Sequence, residues 1–269
     1  MNDRRRAAPT GSVAMFDELA RRGYDEHFAV PHRRAYDDLA WEAVLALLPD
    51  RPATVIDAGC GIGRWAVRLV ELGHRVVGIE QAPEMVARAR ARSLPPDRFT
   101  IVEGDLTTIE HPALVSGGAD LVLAMGSVQY APEPGAAIAR LATWAAPAGA
   151  VVVLVDSLVA LVLELLAAGQ VADALERASS RRACWRTDAG AADLHLFDRE
   201  TLARSMGAAG LSDIVVRGLL VGATAFGREG LDTRLGEDPP LTLAIERALA
   251  DSQPMADAGK QLLGIGRCR

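Results

Sequence analysis

The stretch VIDAGCGIGRW, residues 55–65, constrains this chain more than any other. An apolar, β-branched run ends in a carboxylate, Asp57, and is followed by glycines at positions 59, 61 and 63. Glycine allows a sharp backbone turn and lets a ligand approach without a Cβ in the way. The stretch therefore reads as strand, ligand loop and helix, and by itself it points to nucleotide or nucleoside binding.

The rest of the chain repeats that rhythm. Five short apolar segments, at residues 53–56, 75–79, 99–102, 120–124 and 150–155, alternate with helical patterns such as 64–72 and 84–92. Such alternation predicts right-handed crossovers and a parallel sheet with helices on both faces. Upstream, apolar residues recur at helical spacing over 34–48 and stop at Pro49. Downstream, residues 158–178 read as one long helix, or as a pair broken at Gly169. A helix at 199–209, a strand at 213–220, a helix at 242–250 and a final apolar run at 261–266 follow. We expect one domain over residues 13–269 after a frayed tail at 1–12. Its parts are N-terminal helices at 13–49, a ligand-binding core at 50–155, a helical insertion at 156–190 and the remainder of the sheet at 191–269.

Composition supports a packed core, since half of the 269 residues are hydrophobic and 24% are charged. A net charge of -6 supplies no global positive field to gather phosphates. Three scattered cysteines suit neither a disulfide framework nor a metal site, so no metal is expected and a cytoplasmic setting fits. Arg4, Arg5 and Arg6 precede no apolar run, which argues against a signal peptide or a membrane anchor.

A dinucleotide reading meets a difficulty at Asp57, because its carboxylate would face a pyrophosphate. A ligand without phosphate and with a cationic end removes the conflict. Glu80 follows 23 residues after Asp57, at the end of the second strand. A carboxylate there can accept both hydroxyls of a ribose.

Taken as an ordered set, these segments resemble the class I S-adenosylmethionine-dependent methyltransferases. VIDAGCGIGRW resembles their first motif and VVGIEQAPEMVARAR, residues 76–90, their second. FTIVEGDL at 99–106, ADLVLAMGSVQY at 119–130 and TWAAPAGAVVVLV at 143–155 resemble the segments that follow. The resemblance implies a doubly wound, Rossmann-like α/β fold with a seven-stranded, mostly parallel sheet. It adds an N-terminal helical lid and a helical insertion after strand five. It also implies S-adenosyl-L-methionine as cofactor, bound by Asp57, Gly59, Cys60, Gly61, Gly63, Glu80, Gln81, Met85, Asp105, Leu106 and Met125. Asp105 would lie by the adenine amino group and Leu106 against the ring. Cys60 has no adjacent base and reads as a small packing residue of the loop rather than a nucleophile.

Residues outside these motifs are the candidates for the acceptor side. His27, His32 and Tyr130 are candidate catalytic groups; Tyr24, Tyr130, Arg182, Trp185, Arg186 and His195 are candidate acceptor contacts. Met125-Gly126-Ser127-Val128-Gln129-Tyr130 lacks the Asn/Asp-Pro-Pro-Tyr pattern of enzymes that methylate base amines. Residues 241–267 are similar to the C-terminal segment of methyltransferases that esterify carboxymethoxyuridine in tRNA. The leading expectation is O- or N-methylation of a small molecule by a monomer or homodimer, with no membrane partner. Carboxyl methylation of the tRNA wobble base is the second. A cofactor-binding protein without methyl transfer and an NAD-dependent oxidoreductase are the readings from other classes. The N-terminal stretch 24–32 and the insertion 158–178 are expected to roof the acceptor pocket.

Overall fold

The computed structural model describes residues 11–252 and 254–269, and of His27 the backbone alone. The tail expected at 1–12 falls outside the described residues as far as residue 10. Helix α1 (Ser12–Arg21) begins at the last residue of that expected tail, and helix α2 (Pro31–Leu45) follows a single 3₁₀ turn at Tyr24–Phe28. Proline at the first position of α2 suits that start, since its missing N–H would have no partner there and its φ is already helical. Leu39, Ala40, Ala43 and Val44 of α2 are buried against the sheet.

The expected alternation then runs as β1 (Thr54–Ala58), α3 (Arg64–Glu71), β2 (Arg75–Glu80), α4 (Pro83–Ala91), β3 (Phe99–Glu103) and β4 (Ala119–Met125). It continues through α5 (Pro134–Trp144) to the long β5 (Ala145–Asp156). The segment expected to be helical after β5 is a pair, α6 (Leu158–Ala167) and α7 (Val171–Ser180), broken at Gly169 with φ +73°. Where the sequence suggested continued insertion, Arg182–Thr187 (β6) and Gly190–His195 (β7) form a separate two-stranded antiparallel hairpin. Its β-formers Cys184, Trp185 and Thr187 are interleaved with arginines, which weakened the strand pattern in the sequence.

The chain closes with α8 (Arg199–Ala208), β8 (Ser212–Leu219), α9 (Val221–Glu237), α10 (Pro239–Ala250) and β9 (Gln261–Arg267). Helix α9, over residues the sequence reading had left unassigned, is interrupted at Gly227, whose φ of 71° and ψ of 167° are not helical. The main sheet has seven strands in the order β3-β2-β1-β4-β5-β9-β8. β1 to β5 pair in parallel, and β9 inserts antiparallel between β5 and β8. This is the expected doubly wound, mostly parallel α/β fold.

Strands covered on both faces show continuous rather than alternating burial. Leu121 to Ala124 of β4 and Val151 to Val153 of β5 are wholly inaccessible to solvent. β9 reaches the interior because Gly264 admits helix α8: a Cβ there would lie 2.6 Å from the sulfur of Met206. Order reversal in the sheet falls between β1 and β4, so the carboxyl ends of these strands open a crevice where ligands of such folds bind. No helix among the described residues is long and apolar enough to cross a membrane.

Candidate functional site

Two adjoining cavities lie over the carboxyl ends of the central strands. The smaller, about 100 Å³, is floored by Gly59, Gly61, Glu80, Gln81 and Met85 and flanked by Leu106. The larger, about 470 Å³, lies beyond β4 and β5. Met125, Gly126, Tyr130, Phe16 and Tyr24 line both, so these residues form the passage between them.

Helical and strand geometry meet at the glycine loop. The N–H groups of Gly59 and Cys60 donate to the carbonyl of Ile79 at 2.8 and 3.0 Å, tying the loop to β2. Gly59 has φ +80°, and a Cβ there would stand 2.3 Å from that of Ser127, so no other residue fits without displacement. Gly61 also has a positive φ but faces open space, which leaves its backbone accessible to a ligand. The N–H of Gly61 donates to Oε2 of Glu80 at 2.9 Å. Oε1 of Glu80 accepts from Gln81 and Ala82 at 2.8 and 2.9 Å. Glu80 therefore holds the loop together from inside the cavity. Burial pushes its carboxyl upward, against the three backbone donors that favour the charged form.

Asp57 is nearly inaccessible, and neither of its oxygens has a hydrogen-bond partner among the described residues. Burial, reinforced by the charge of Glu80, pushes its carboxyl up to about 7. An orphaned carboxylate under a glycine loop suits a cationic ligand group nearby, since a buried ionised acid is costly without compensation.

Several residues expected at the cofactor stand outside the cavity wall. Cys60 is buried, its sulfur 2.8 Å from the space a Cβ on Gly78 would take, and burial pushes its thiol upward. It is a packing residue, as its lack of a nearby base suggested. Gly63 packs the loop against Ala89 of α4. Asp105 is exposed, and its Oδ1 accepts from both the N–H and the hydroxyl of Thr107 at 2.8 Å. Leu106, one position on, takes the place at the cavity.

The larger cavity is walled by rings. Phe16 of α1 meets Tyr130 at 5.3 Å and Trp185 of β6 at 5.8 Å between ring centroids, and Tyr24 meets Phe28 at 5.3 Å. Burial raises the phenol of Tyr24 to about 12 and that of Tyr130 further, so both are neutral donors. His32 of α2 lies against the cavity with its Nδ1 2.8 Å from Asp232 of α9. Below the rings, Gln129 donates to Asp156 at 3.1 Å and accepts the Asp156 N–H at 2.7 Å.

The roof is formed by Phe16, the turn at Tyr24–Phe28, His32, and Leu161 and Glu164 of α6. The β6-β7 hairpin completes it, while α7 contributes no lining residue. Sequence reasoning missed the hairpin's role and missed Arg33, Asp156, Arg228 and Lys260, which face the cavity from separate elements. Two candidate acceptor contacts are displaced. His195 and Arg182 sit opposite each other in the hairpin, 3.0 Å apart between Nε2 and the guanidinium, and neither lines a cavity. Arg182 and His195 stand at the end of the hairpin away from its turn, whereas Arg186, four residues along β6 and on the same face as Arg182, lies at the cavity. The side chain of His27 lies outside the described residues.

Residues 55–149 match the methyltransferase domain family. With the sheet order and the glycine loop, this match supports reading the chain as a class I S-adenosylmethionine-dependent methyltransferase. It is similar over 143 residues to the bifunctional biotin-biosynthesis protein BioCD of Bordetella avium, at 33% identity, covering 52% of this chain and 29% of that protein. It is 32% identical over 135 residues to the ubiquinone biosynthesis O-methyltransferase of Xanthomonas axonopodis, covering 50% of this chain and 56% of the relative. The chain thus spans at most a little over half the length of these two relatives. Among solved structures it resembles the Burkholderia thailandensis 1,6-didemethyltoxoflavin N1-methyltransferase, determined with that compound and S-adenosylhomocysteine. The TM-score is 0.53 and the identity 18%, covering 98% of this chain and 93% of the other.

Proposed function

We propose that this chain is an enzyme that transfers the methyl group of S-adenosylmethionine to a nitrogen or oxygen of a small molecule. The observation that carries the reading is the passage at Met125, Gly126 and Tyr130, where a glycine-floored cavity opens into a larger, ring-walled one. In the smaller cavity Glu80 would accept the ribose hydroxyls and Gly59 and Gly61 would admit the ligand against the backbone, with Asp57 below a cationic end. When bound, the cofactor supplies an electrophilic methyl on a positively charged sulfur. The chain's own part is then alignment, which can remove several kcal/mol of barrier.

Around the acceptor, Tyr130 and Tyr24 would orient it and exclude water, and His32 would hold a proton. Asp232 accepts from Nδ1 of His32, which leaves Nε2 as the ring's acceptor nitrogen. That arrangement suits an acceptor that must lose a proton, such as a phenol. The aromatic walls and the volume of about 470 Å³ favour a small molecule over the tRNA reading. The O-methyltransferase and N-methyltransferase relatives agree with small-molecule acceptors without choosing the atom. Calorimetry with S-adenosylhomocysteine and with NADH tests the cofactor. Binding of NADH with no response to S-adenosylhomocysteine would overturn the reading.

A further inference from the structure

Positive charge is concentrated inside the acceptor cavity of a chain whose net charge is -6. Four cationic side chains line it, Arg33, Arg186, Arg228 and Lys260, against two carboxylates, Asp156 and Glu164. The carboxylates are already engaged. Glu164 contacts the ammonium of Lys260 and lies 3.8 Å from Nε of Arg228. Asp156 accepts from Gln129 at 3.1 Å and from Gln261 at 3.5 Å.

Arg33 is different from the other three in where it sits and what it touches. It occupies α2 between His32 and Tyr36, and all three line the cavity from one face of the helix. Its guanidinium has no hydrogen-bond or ion-pair partner among the described residues; the charges it feels are the like charge of Arg228 and, less strongly, the opposite charge of Asp156, which is already held by Gln129 and Gln261. Burial pushes its pKa downward, though a guanidinium stays protonated at any physiological pH. A half-buried, always-charged fork beside another arginine is unfavourable unless something anionic joins it. The planar fork matches a carboxylate in geometry as well as in charge.

Resting on the methyltransferase reading, we propose that the acceptor is an aromatic or heteroaromatic acid whose carboxylate is held by Arg33, with Arg228 as the second cation. Its planar body lies along the wall formed by Phe16, Tyr130 and Trp185, where the ring of Phe16 meets the other two and Phe16 and Tyr130 border the cofactor cavity. The carboxylate anchors the acceptor at the α2 side, and the atom to be methylated is at the Tyr130 side. Arg33 is therefore a specificity determinant: it selects acids over neutral molecules of the same shape.

The test uses the full chain saturated with S-adenosylhomocysteine and titrated with 1-naphthoate and with its neutral isostere 1-naphthamide. We expect the acid to bind on the order of tenfold more tightly than the amide. In R33Q the two should bind within about twofold of each other, and R33K should keep part of the preference. R228Q should reduce it to a smaller extent, which keeps the proposal testable if R33Q does not fold. S-adenosylhomocysteine affinity, measured on each variant, reports folding and isolates the acceptor side. Equal affinity for acid and amide in the unmodified protein, absence of binding by the acid at millimolar concentration, or an undiminished preference in folded R33Q overturns the proposal. Failure of S-adenosylhomocysteine itself to bind would instead sink the cofactor reading on which it rests.

Discussion

Nδ1 of His32 lies 2.8 Å from Oδ2 and 3.0 Å from Oδ1 of Asp232, although 200 positions separate the two in sequence. The same carboxylate accepts the backbone N–H of His32 at 2.7 Å. Helix α9 thus fixes both the start of α2 and the orientation of an imidazole at the acceptor cavity. The interruption of α9 at Gly227 matters here, because the segment beyond it brings Arg228 and Asp232 toward α2.

Replacing His32 by Asn should lower kcat by about a hundredfold if the acceptor gives up a proton to Nε2. Asp232→Asn should lower it less, by roughly tenfold, because the ring would lose the carboxylate that orients it. S-adenosylhomocysteine affinity should not move in either variant. A kcat unchanged in H32N would remove the histidine from the chemistry.

Glu80→Gln should weaken S-adenosylhomocysteine by about 1 to 2 kcal/mol, read by calorimetry. Glu80 also accepts from Gly61, Gln81 and Ala82, and an amide cannot accept at both ends, so thermal stability should fall in the same variant. An unaltered dissociation constant would place the ribose elsewhere.

Asp57 makes stability depend on pH. Its folded pKa, about 7, lies above that of an exposed aspartate, so the folded state holds the proton more tightly than the unfolded chain. That contribution is complete below about pH 4 and is lost as pH rises through about 7. Asp57→Asn should flatten the profile over this window and leave the ligand-free protein more stable than the parent at pH 8, by on the order of 4 kcal/mol. Urea unfolding at several pH values measures both. Parallel profiles for the two proteins would show that Asp57 is ionised and compensated without ligand.

Phe16 and Tyr24 line both cavities, so ligand in the smaller one should order the segments that carry them. On adding S-adenosylhomocysteine, amide exchange should slow over Ser12–Arg21 and Tyr24–Phe28, less in Leu158–Ala167, and remain unchanged in Val171–Ser180. Uniform protection of both insertion helices with none in the N-terminal segments would reverse the assignment of the roof.

Local chemistry made the core of this protein legible from its sequence. Positive-φ glycines at 59, 61 and 63, a carboxylate closing β1 and another closing β2 are short-range features. The βα rhythm follows from hydrophobic period and turn residues. The break at Gly169 was readable for the same reason. What the tertiary structure alone decided is the acceptor cavity, because its determinants come from elements far apart in the chain. Arg33, Asp156, Arg228 and Lys260 are ordinary polar residues in their own segments, and nothing in local spacing sets an unpaired arginine apart from a solvated one. Only packing of α9 on α2 creates the His32–Asp232 pair. Only insertion of β9 beside β5 places Gln261 at Asp156. Position along the hairpin, set by its pairing register, decided that Arg186 meets the cavity while Arg182 and His195 meet each other. A one-dimensional pattern records which residue types are available, whereas charge balance and burial at a site are sums over neighbours that the sequence does not adjoin.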